Sequence, residues 1–495
     1  MNEQQREQII QNAKYLQKVR PIDPEEIYEY VEGTPHPATV RQVLREQAPR
    51  LGLLERTDGC FEPVTEESLS VAFHGVDAVP ENITRAIEDV LVERFGPGWP
   101  DGSSGETLRS SIRGFKQQYL DGASVTYDED TALGYAVYHL PAYFATVQYV
   151  LADLLDDGLL PKHLRILDIG AGVGGPALGI DAIVGDSALV EYHAIEPSAS
   201  ADLLERLLDL TGRNFHSRVH RIPVEEFDPM TALASPNGER NSDETDSPPF
   251  DVILFGNVLS ELADPAQVLV ESFSWLTSDG TVVALAPADR NTATGLRGVE
   301  RLAEQQGGAT VYAPTVRLWP NERPESESWS FRRHHDLAVP SFQRRLDEGE
   351  RTESERTAEN QPAGSGEFVN VDVQYAYSLL RCDEQTAVTA RPSRSQVAKM
   401  ADSDQHVTDR VDYAALKLSH DLTESGNPLF LVADGSQMVD HFAVLTSESA
   451  LNRDLLTAEY GDLLLLERVL VLWNDDESAY NLVVDEESIV ERIPS

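Results

Sequence analysis

At 495 residues the chain has room for about three domains, and its charge is lopsided: 84 acidic side chains face 40 basic ones, six of them lysine, for a formal charge of −44. Two cysteines, Cys60 and Cys382, exclude a disulfide scaffold. No signal peptide, transmembrane run or lipidation motif is present, so a soluble, cytoplasmic protein without a membrane partner is expected. An excess of acid along the whole length repels nucleic acid in dilute buffer. In molar salt the Debye length falls to about 3 Å and that repulsion fades, which points to a halophile's cytoplasm.

Residues 1–66 read as a winged-helix domain. A helix up to Arg20 precedes Asp23-Pro24, an N-cap with proline at the first helical position, and a third helix follows from His36. Leu51 to Val64 is a hairpin turning at Asp58-Gly59. Such a domain would set Thr39, Arg41, Gln42 and Arg45 against a nucleic-acid groove, or dock a protein instead. Residues 67–130 form a helical connector broken between Gly96 and Gly105.

Residues 131–390 carry the chemistry. Leu164 to Asp168 is a buried strand ending in an acid, and Gly170, Ala171, Gly172 and Gly174 follow in a turn that opens a helix. Glycine lets such a turn take positive φ and brings bare backbone, with its N–H groups, against a ligand. Gly170, Gly172 and Gly175 also fit the dinucleotide pattern G-x-G-x-x-G, which is weak evidence alone. Asp168 discriminates, because a carboxylate there would repel a pyrophosphate yet suits the α-amino group of S-adenosyl-L-methionine. A second strand ends at Glu196-Pro197, where ribose hydroxyls would be held in either fold. A third strand, 215–222, leads to Glu225, and Phe250–Gly256 is a fourth, followed at once by Asn257. A helix from Ser260 through Trp275, a fifth strand at Gly280–Ala286, a short sixth at Thr310–Pro314 and a long alternating one at Phe368–Leu380 complete the domain. The fold class is α/β, a Rossmann-like, mostly parallel sheet with an antiparallel strand at its edge. Segments 235–249 and 347–366 are polar, poor in aliphatics, and expected as disordered insertions.

Ala132-Leu-Gly-Tyr-Ala-Val-Tyr-His-Leu-Pro-Ala-Tyr-Phe, Asp168-Ile-Gly-Ala-Gly, Asn257-Val-Leu-Ser-Glu-Leu and Ser341-Phe-Gln-Arg-Arg-Leu together resemble the methyltransferase-like proteins associated with the mitochondrial small ribosomal subunit and their bacterial and archaeal relatives. The resemblance spans residues 130–381. It implies a class I methyltransferase domain that acts on, or docks to, ribosomal RNA of the small ribosomal subunit, in a divergent haloarchaeal-type member. Relatives carry cysteines after the sixth strand that bind a cluster or metal; here Ala313–Pro320 and Trp329–His335 hold none, and adjacent His334 and His335 read as surface residues, so no metal is expected.

After a polar linker, residues 411–495 are β-rich and suit a small five-stranded barrel of the oligonucleotide-binding type, with a hairpin at Asp434-Gly435. Phe430, Phe442 and Trp473 would either stack bases or fill its core. For catalysis Asn257 is the candidate facing the transferred methyl; as the alternative, it caps a strand-end turn. Neither Asn-Pro-Pro-Tyr nor a cysteine placed for carbon methylation is present. Three functions follow: an RNA methyltransferase, a ribosome-assembly or translation factor that binds the cofactor without turnover, and a winged-helix transcription regulator.

Overall fold

The computed structural model describes residues 1–120, 125–229, 248–320, 322, 329–358 and 362–494. They divide into two compact units: Met1–Gly256 with Trp275–Gly280 and His335–Val373, and Asn257–Ser274 with Thr281–His334 and Gln374–Ser495.

In the first unit, helices Glu3–Leu16, Pro24–Ile27 and Pro37–Leu51 precede an antiparallel hairpin of β1 (Leu53–Glu55) and β2 (Phe61–Pro63). The local chemistry is as read: Asp23 accepts from the Glu25 N–H with Pro24 behind it, and Gly59 takes φ +83° in the turn. Ile9, Ile27, Val40, Leu44 and Phe61 close a common core. The hairpin is fixed by a reciprocal pair, in which Glu55 N–H donates to Asn214 Oδ1 (2.8 Å) and Asn214 Nδ2 donates to the Glu55 carbonyl (2.9 Å). The connector supplies helices Glu81–Phe95 and Gly102–Leu120.

The central sheet comprises β3 (His163–Ile169), β4 (Leu189–Ile195), β5 (Phe215–His220), β6 (Phe250–Gly256), β7 (Leu276–Pro287), β8 (Thr310–Ala313), β9 (Arg332–Arg333) and β10 (Gln374–Arg381). Its order is β5-β4-β3-β6-β7-β10-β8, with β9 also on β10. The pairs β4–β5, β3–β4 and β3–β6 are parallel. This is the 3-2-1-4-5 order of doubly wound sheets, whose ligand crevice lies beyond the carboxyl ends of the strands where the order reverses, here at β3.

Three expectations are corrected. The antiparallel strand is not at the edge: β10 lies between β7 and β8, buried along nearly its whole length, and the four-residue β8 is the last strand of the sheet. The alternation read from Phe368 onward enters the ladder only at Gln374, because Phe368 and Asn370 are instead held by Asp347 and Gln343. The helix expected from Ser260 to Trp275 begins at Pro265, capped by Asp264, because a residue before proline resists helical torsions.

Segment 347–366 is also not disordered where it is described. Asp347 accepts from the Gly366 and Phe368 N–H groups, and a helix follows at Glu353–Ala358. Its Glu355 meets fully buried Arg109 bidentately at 2.6 and 2.8 Å. Burial opposes ionisation of Glu355, yet the Arg109 hydrogen bonds hold its pKa at about 2. The first insertion, 235–249, falls almost wholly outside the described residues.

In the second unit, β11 (Arg410–Lys417), β12 (Leu429–Ala433), β13 (His441–Leu445), β14 (Leu463–Asn474) and β15 (Ala479–Val484) form a closed five-stranded barrel in the order β11-β12-β13-β15-β14, sealed by β14 against β11. The β13–β15 pair is parallel, and β16 (Ile489–Ile493) borders the first half of β14. This is the small barrel expected from the β-rich tail. Phe430 is one of its core residues, under the Lys417 ammonium at 4.2 Å, so it is no base-stacking platform.

Glu355→Ala leaves Arg109 buried without its counter-charge, so chemical denaturation should show a loss of about 3–5 kcal/mol. A change below about 0.5 kcal/mol would mean that the segment is dispensable.

Candidate functional site

β3 runs out at Ile169, and the chain turns through Gly170 (φ +70°), Gly172 (φ +55°) and Gly174 (φ +89°) into helix Gly175–Val184. These torsions exclude ordinary side chains. At Gly174 a Cβ would also lie 2.7 Å from Leu204 Cδ1, whereas at Gly172 it would meet open space. The bare face expected over the turn is therefore at Gly172.

The loop amides do something other than expected. Gly170 and Ala171 N–H both donate to the Ile195 carbonyl (2.9 and 3.2 Å), Gly174 N–H to the Ala171 carbonyl (3.1 Å), and Gly172 N–H to Glu196 Oε2 (2.8 Å). Four donors that would otherwise cradle a phosphate are already used inside the protein. Phosphate loops depend on such donors being free, so these four are withdrawn from any pyrophosphate.

Glu196 is locked by the Gly172 contact and by Ser198 N–H on its other oxygen (2.9 Å). Each carboxylate oxygen keeps a second lone pair for a hydroxyl. Asp168 differs. It is fully buried, Tyr192 hydroxyl donates to its Oδ2, and its Oδ1 has no hydrogen-bond partner among the described residues. Burial pushes its pKa up to about 7; the Tyr192 hydrogen bond opposes that and the Glu196 charge adds to it. An orphaned buried oxygen costs about 1–3 kcal/mol until a donor reaches it.

Pro197 and Glu225 are solvent-exposed, Glu225 in the short turn Val224–Glu226 that follows β5. Asn257 comes directly after β6 with φ +64°, a left-handed backbone that asparagine tolerates, and its N–H donates to the Leu285 carbonyl (3.2 Å). A Cβ at the preceding Gly256 would sit 3.5 Å from Pro176 Cγ, which places the end of β6 beside the helix that leaves the glycine loop. Tyr192 was missed by sequence reasoning. Its only signal is a hydroxyl-bearing aromatic in the strand next to the one that carries Asp168.

Elsewhere, two of the four groove residues of the third helix, Gln42 and Arg45, are tied to carboxylates. Arg45 is bidentate on Glu55, Gln42 donates to Glu46, and Arg41 lies over Gly59, where a Cβ would touch it at 2.8 Å. His334 stacks on Tyr375 while His335 pairs with Asp77, so the two rings serve different neighbours. Among the described residues no group of three or more His, Cys, Asp or Glu could hold a metal, and no helix is long and apolar enough to cross a membrane.

Comparison with known proteins places this geometry. Residues 143–339 match a methyltransferase domain, residues 6–57 the N-terminal domain and 401–493 the C-terminal domain of a domain of unknown function (DUF8157). No curated protein matches the chain. Among solved structures, a SAM-dependent methyltransferase from Aquifex aeolicus is 15% identical, covering 41% of this chain and 89% of its own, with a TM-score of 0.25. The CurJ carbon methyltransferase is 14% identical over 77% of this chain and 91% of its own (TM-score 0.30). The plantazolicin methyltransferase BpumL, crystallised with SAH, is 12% identical over 56% and 97% (TM-score 0.29). The region around the glycine loop is thus a class I methyltransferase domain, and its cofactor is S-adenosylmethionine. The residues fit that group: an unmet acceptor for an ammonium, a second carboxylate for a diol, and four loop amides already engaged within the protein.

A carboxyl whose folded pKa is raised contributes stability below its unfolded value and loses it as pH rises through about 7. Asp168→Asn should therefore raise the stability of the ligand-free protein at pH 8, on the order of a few kcal/mol, while abolishing S-adenosylhomocysteine binding in calorimetry. For the wild type, affinity for that ligand should rise about tenfold between pH 6 and 8 as Asp168 ionises. A flat profile would remove Asp168 from the site.

Proposed function

We propose that the protein is a methyltransferase acting on RNA, with ribosomal RNA of the small ribosomal subunit as its substrate and a high-salt cytoplasm as its setting. The observation that carries the methyltransferase part is the pairing of spent loop amides with the orphaned Asp168 Oδ1. In this reading Asp168 takes the cofactor's α-ammonium, Glu196 its ribose, and the turn of Gly170, Ala171, Gly172 and Gly174 presents bare backbone at Gly172 for the nucleoside. Pro197 and Glu225 border that surface at the ends of β4 and β5. When bound, the cofactor supplies an electrophilic methyl on a sulfonium. Orientation then contributes most of the acceleration, and a strong base is dispensable. Asn257, at the carboxyl end of β6 in a left-handed turn, is the proposed residue facing the acceptor.

The RNA part is supported by the barrel, whose five-stranded closed form is that of oligonucleotide-binding modules. Trp473 is 40% exposed on it and packs edge-on to Tyr480 at 4.8 Å, so a base has one aromatic surface to stack on. The N-terminal helices fit a winged-helix domain. With Arg45 and Gln42 tied to carboxylates, that domain suits protein docking better than a groove. This favours a second reading, an assembly factor seated on a ribosomal protein surface that binds the cofactor without turnover.

Incubating the protein with methyl-labelled cofactor and unmodified small-subunit ribosomal RNA in about 2 M KCl should label the RNA, and Asn257→Ala should lower the rate more than it lowers cofactor affinity. Cofactor binding without label in RNA would select the assembly factor. The unfolding temperature should rise between about 0.1 and 2 M KCl, since the carboxylate excess is screened over that range.

A further inference from the structure

His139 alone joins helices Glu129–Tyr138 and Leu140–Asp156, and five aromatic rings surround it. Tyr135 (4.7 Å), Tyr138 (5.0 Å), Phe115 (5.3 Å) and Tyr119 (6.5 Å) meet it at an angle, and Tyr143 stacks on it at 5.4 Å and 10°. Its Nδ1 lies 3.4 Å from the Asn370 amide nitrogen. Asn370 is in turn fixed by Gln343, which takes the Asn370 N–H (3.1 Å) and donates to the Val137 carbonyl (2.8 Å). With the amide donating to Nδ1, the proton resides on Nε2. That Nε2 is shut off from solvent and has no partner among the described residues. Burial and the Lys116 charge hold the ring neutral, its pKa lowered to about 3.

This cluster borders the cofactor loop. Gly175, the first residue of the helix that leaves the glycine turn, has room for no side chain: a Cβ would stand 3.2 Å from the Leu140 carbonyl oxygen and 3.2 Å from Tyr143 Cβ. A core position needs neither an imidazole nor an unmet donor, and a phenylalanine would fill the same space without desolvating an N–H.

We propose that His139, with Tyr135 and Tyr143, forms the acceptor side of the methyl-transfer site and binds an uncharged heteroaromatic ring, donating from Nε2 to a carbonyl oxygen or ring nitrogen of that ring. The proposal rests on the methyltransferase reading and goes beyond it by naming the acceptor's chemistry. Aromatic faces favour a planar partner. A cation would be drawn to the same faces, but an N–H donor and the nearby Lys116 repel it, and a neutral ring avoids the cost of desolvating an anion among five rings. What remains is a neutral, flat group with an acceptor atom, the description of a nucleobase, whether free or within a polynucleotide.

The test uses the full chain saturated with S-adenosylhomocysteine, so that the cofactor's own nucleoside site is filled. Calorimetry then measures binding of uridine, cytidine and guanosine, and separately of a single-stranded oligoribonucleotide of about ten nucleotides. His139→Phe keeps the ring and loses the donor, and His139→Gln keeps a donor. The expected result is an affinity on the order of tenfold weaker in His139→Phe, restored to near wild type in His139→Gln, with S-adenosylhomocysteine binding equal in all three. Response to nucleosides and oligonucleotide alike assigns a free base as sufficient ligand; response to the oligonucleotide alone assigns a polynucleotide, and both support the proposal. It is overturned if the wild type binds neither probe, if His139→Phe binds as the wild type does, or if His139→Phe also loses S-adenosylhomocysteine. Failure of the wild type to bind S-adenosylhomocysteine would sink the methyltransferase reading itself, a result distinct from the others.

Discussion

A carboxylate with one oxygen satisfied and the other not is the constraint around which this molecule is arranged. Asp168 sits at the tip of β3, where the strand order of the sheet reverses, and Tyr192 from the neighbouring strand holds Oδ2. The register explains the pairing: Ile166 lies opposite Tyr192 in the parallel ladder, so the long phenol reaches forward along the strand to the acid two residues on. Glu196, one strand over, is bonded on both oxygens. Two acids in one crevice thereby acquire different tasks, one fixed on both oxygens by backbone donors, the other half-bonded and awaiting a donor.

The charge of the chain gains meaning from how its cations are spent. With six lysines among 40 basic residues, the positive side is almost entirely arginine, whose planar fork pairs bidentately with carboxylates. Arg45–Glu55, Arg109–Glu355, Arg165–Asp251 and Arg113–Glu367 are of this kind. Arginine here is structural mortar between elements far apart in sequence. These four arginines are thereby withdrawn from contact with a phosphate.

What could be read in the chain, and what could not, follows the range of the forces involved. The glycine turn, Asp168, Glu196 and the strand sequence were legible, because torsional freedom and apolar runs are local properties. So was the barrel, whose strands announce themselves as short apolar runs between turn residues. Segment 347–366 was misread since its order comes from Arg109, more than 240 residues away, and composition carries no trace of such a partner. The place of β10 inside the sheet was hidden for a similar reason: alternation reports a strand, not its neighbours. Tyr192 and His139 were in view but silent, an aromatic in a strand and a histidine between two helices, until their unmet or unusual partners were seen.

The unmet oxygen of Asp168 gains weight from how the same protein treats its other buried acids. Glu300, 3% exposed, accepts from Arg317 on one oxygen and from Arg297 and Ser378 on the other. Asp434, fully buried, takes Ser436 on Oδ1, and Trp319 Nε1 and the Met400 N–H on Oδ2. Asp347 and Glu355 likewise have both oxygens bonded. With Glu55, held by Arg45, and Glu196, held by two backbone donors, six other buried carboxylates among the described residues are completed, so the fold is not short of means to complete a seventh. Serine or asparagine on β4 in place of an apolar neighbour would suffice. That Asp168 is left half-bonded, next to the glycine turn and at the carboxyl end of a parallel strand, marks the place where the missing donor arrives with a ligand.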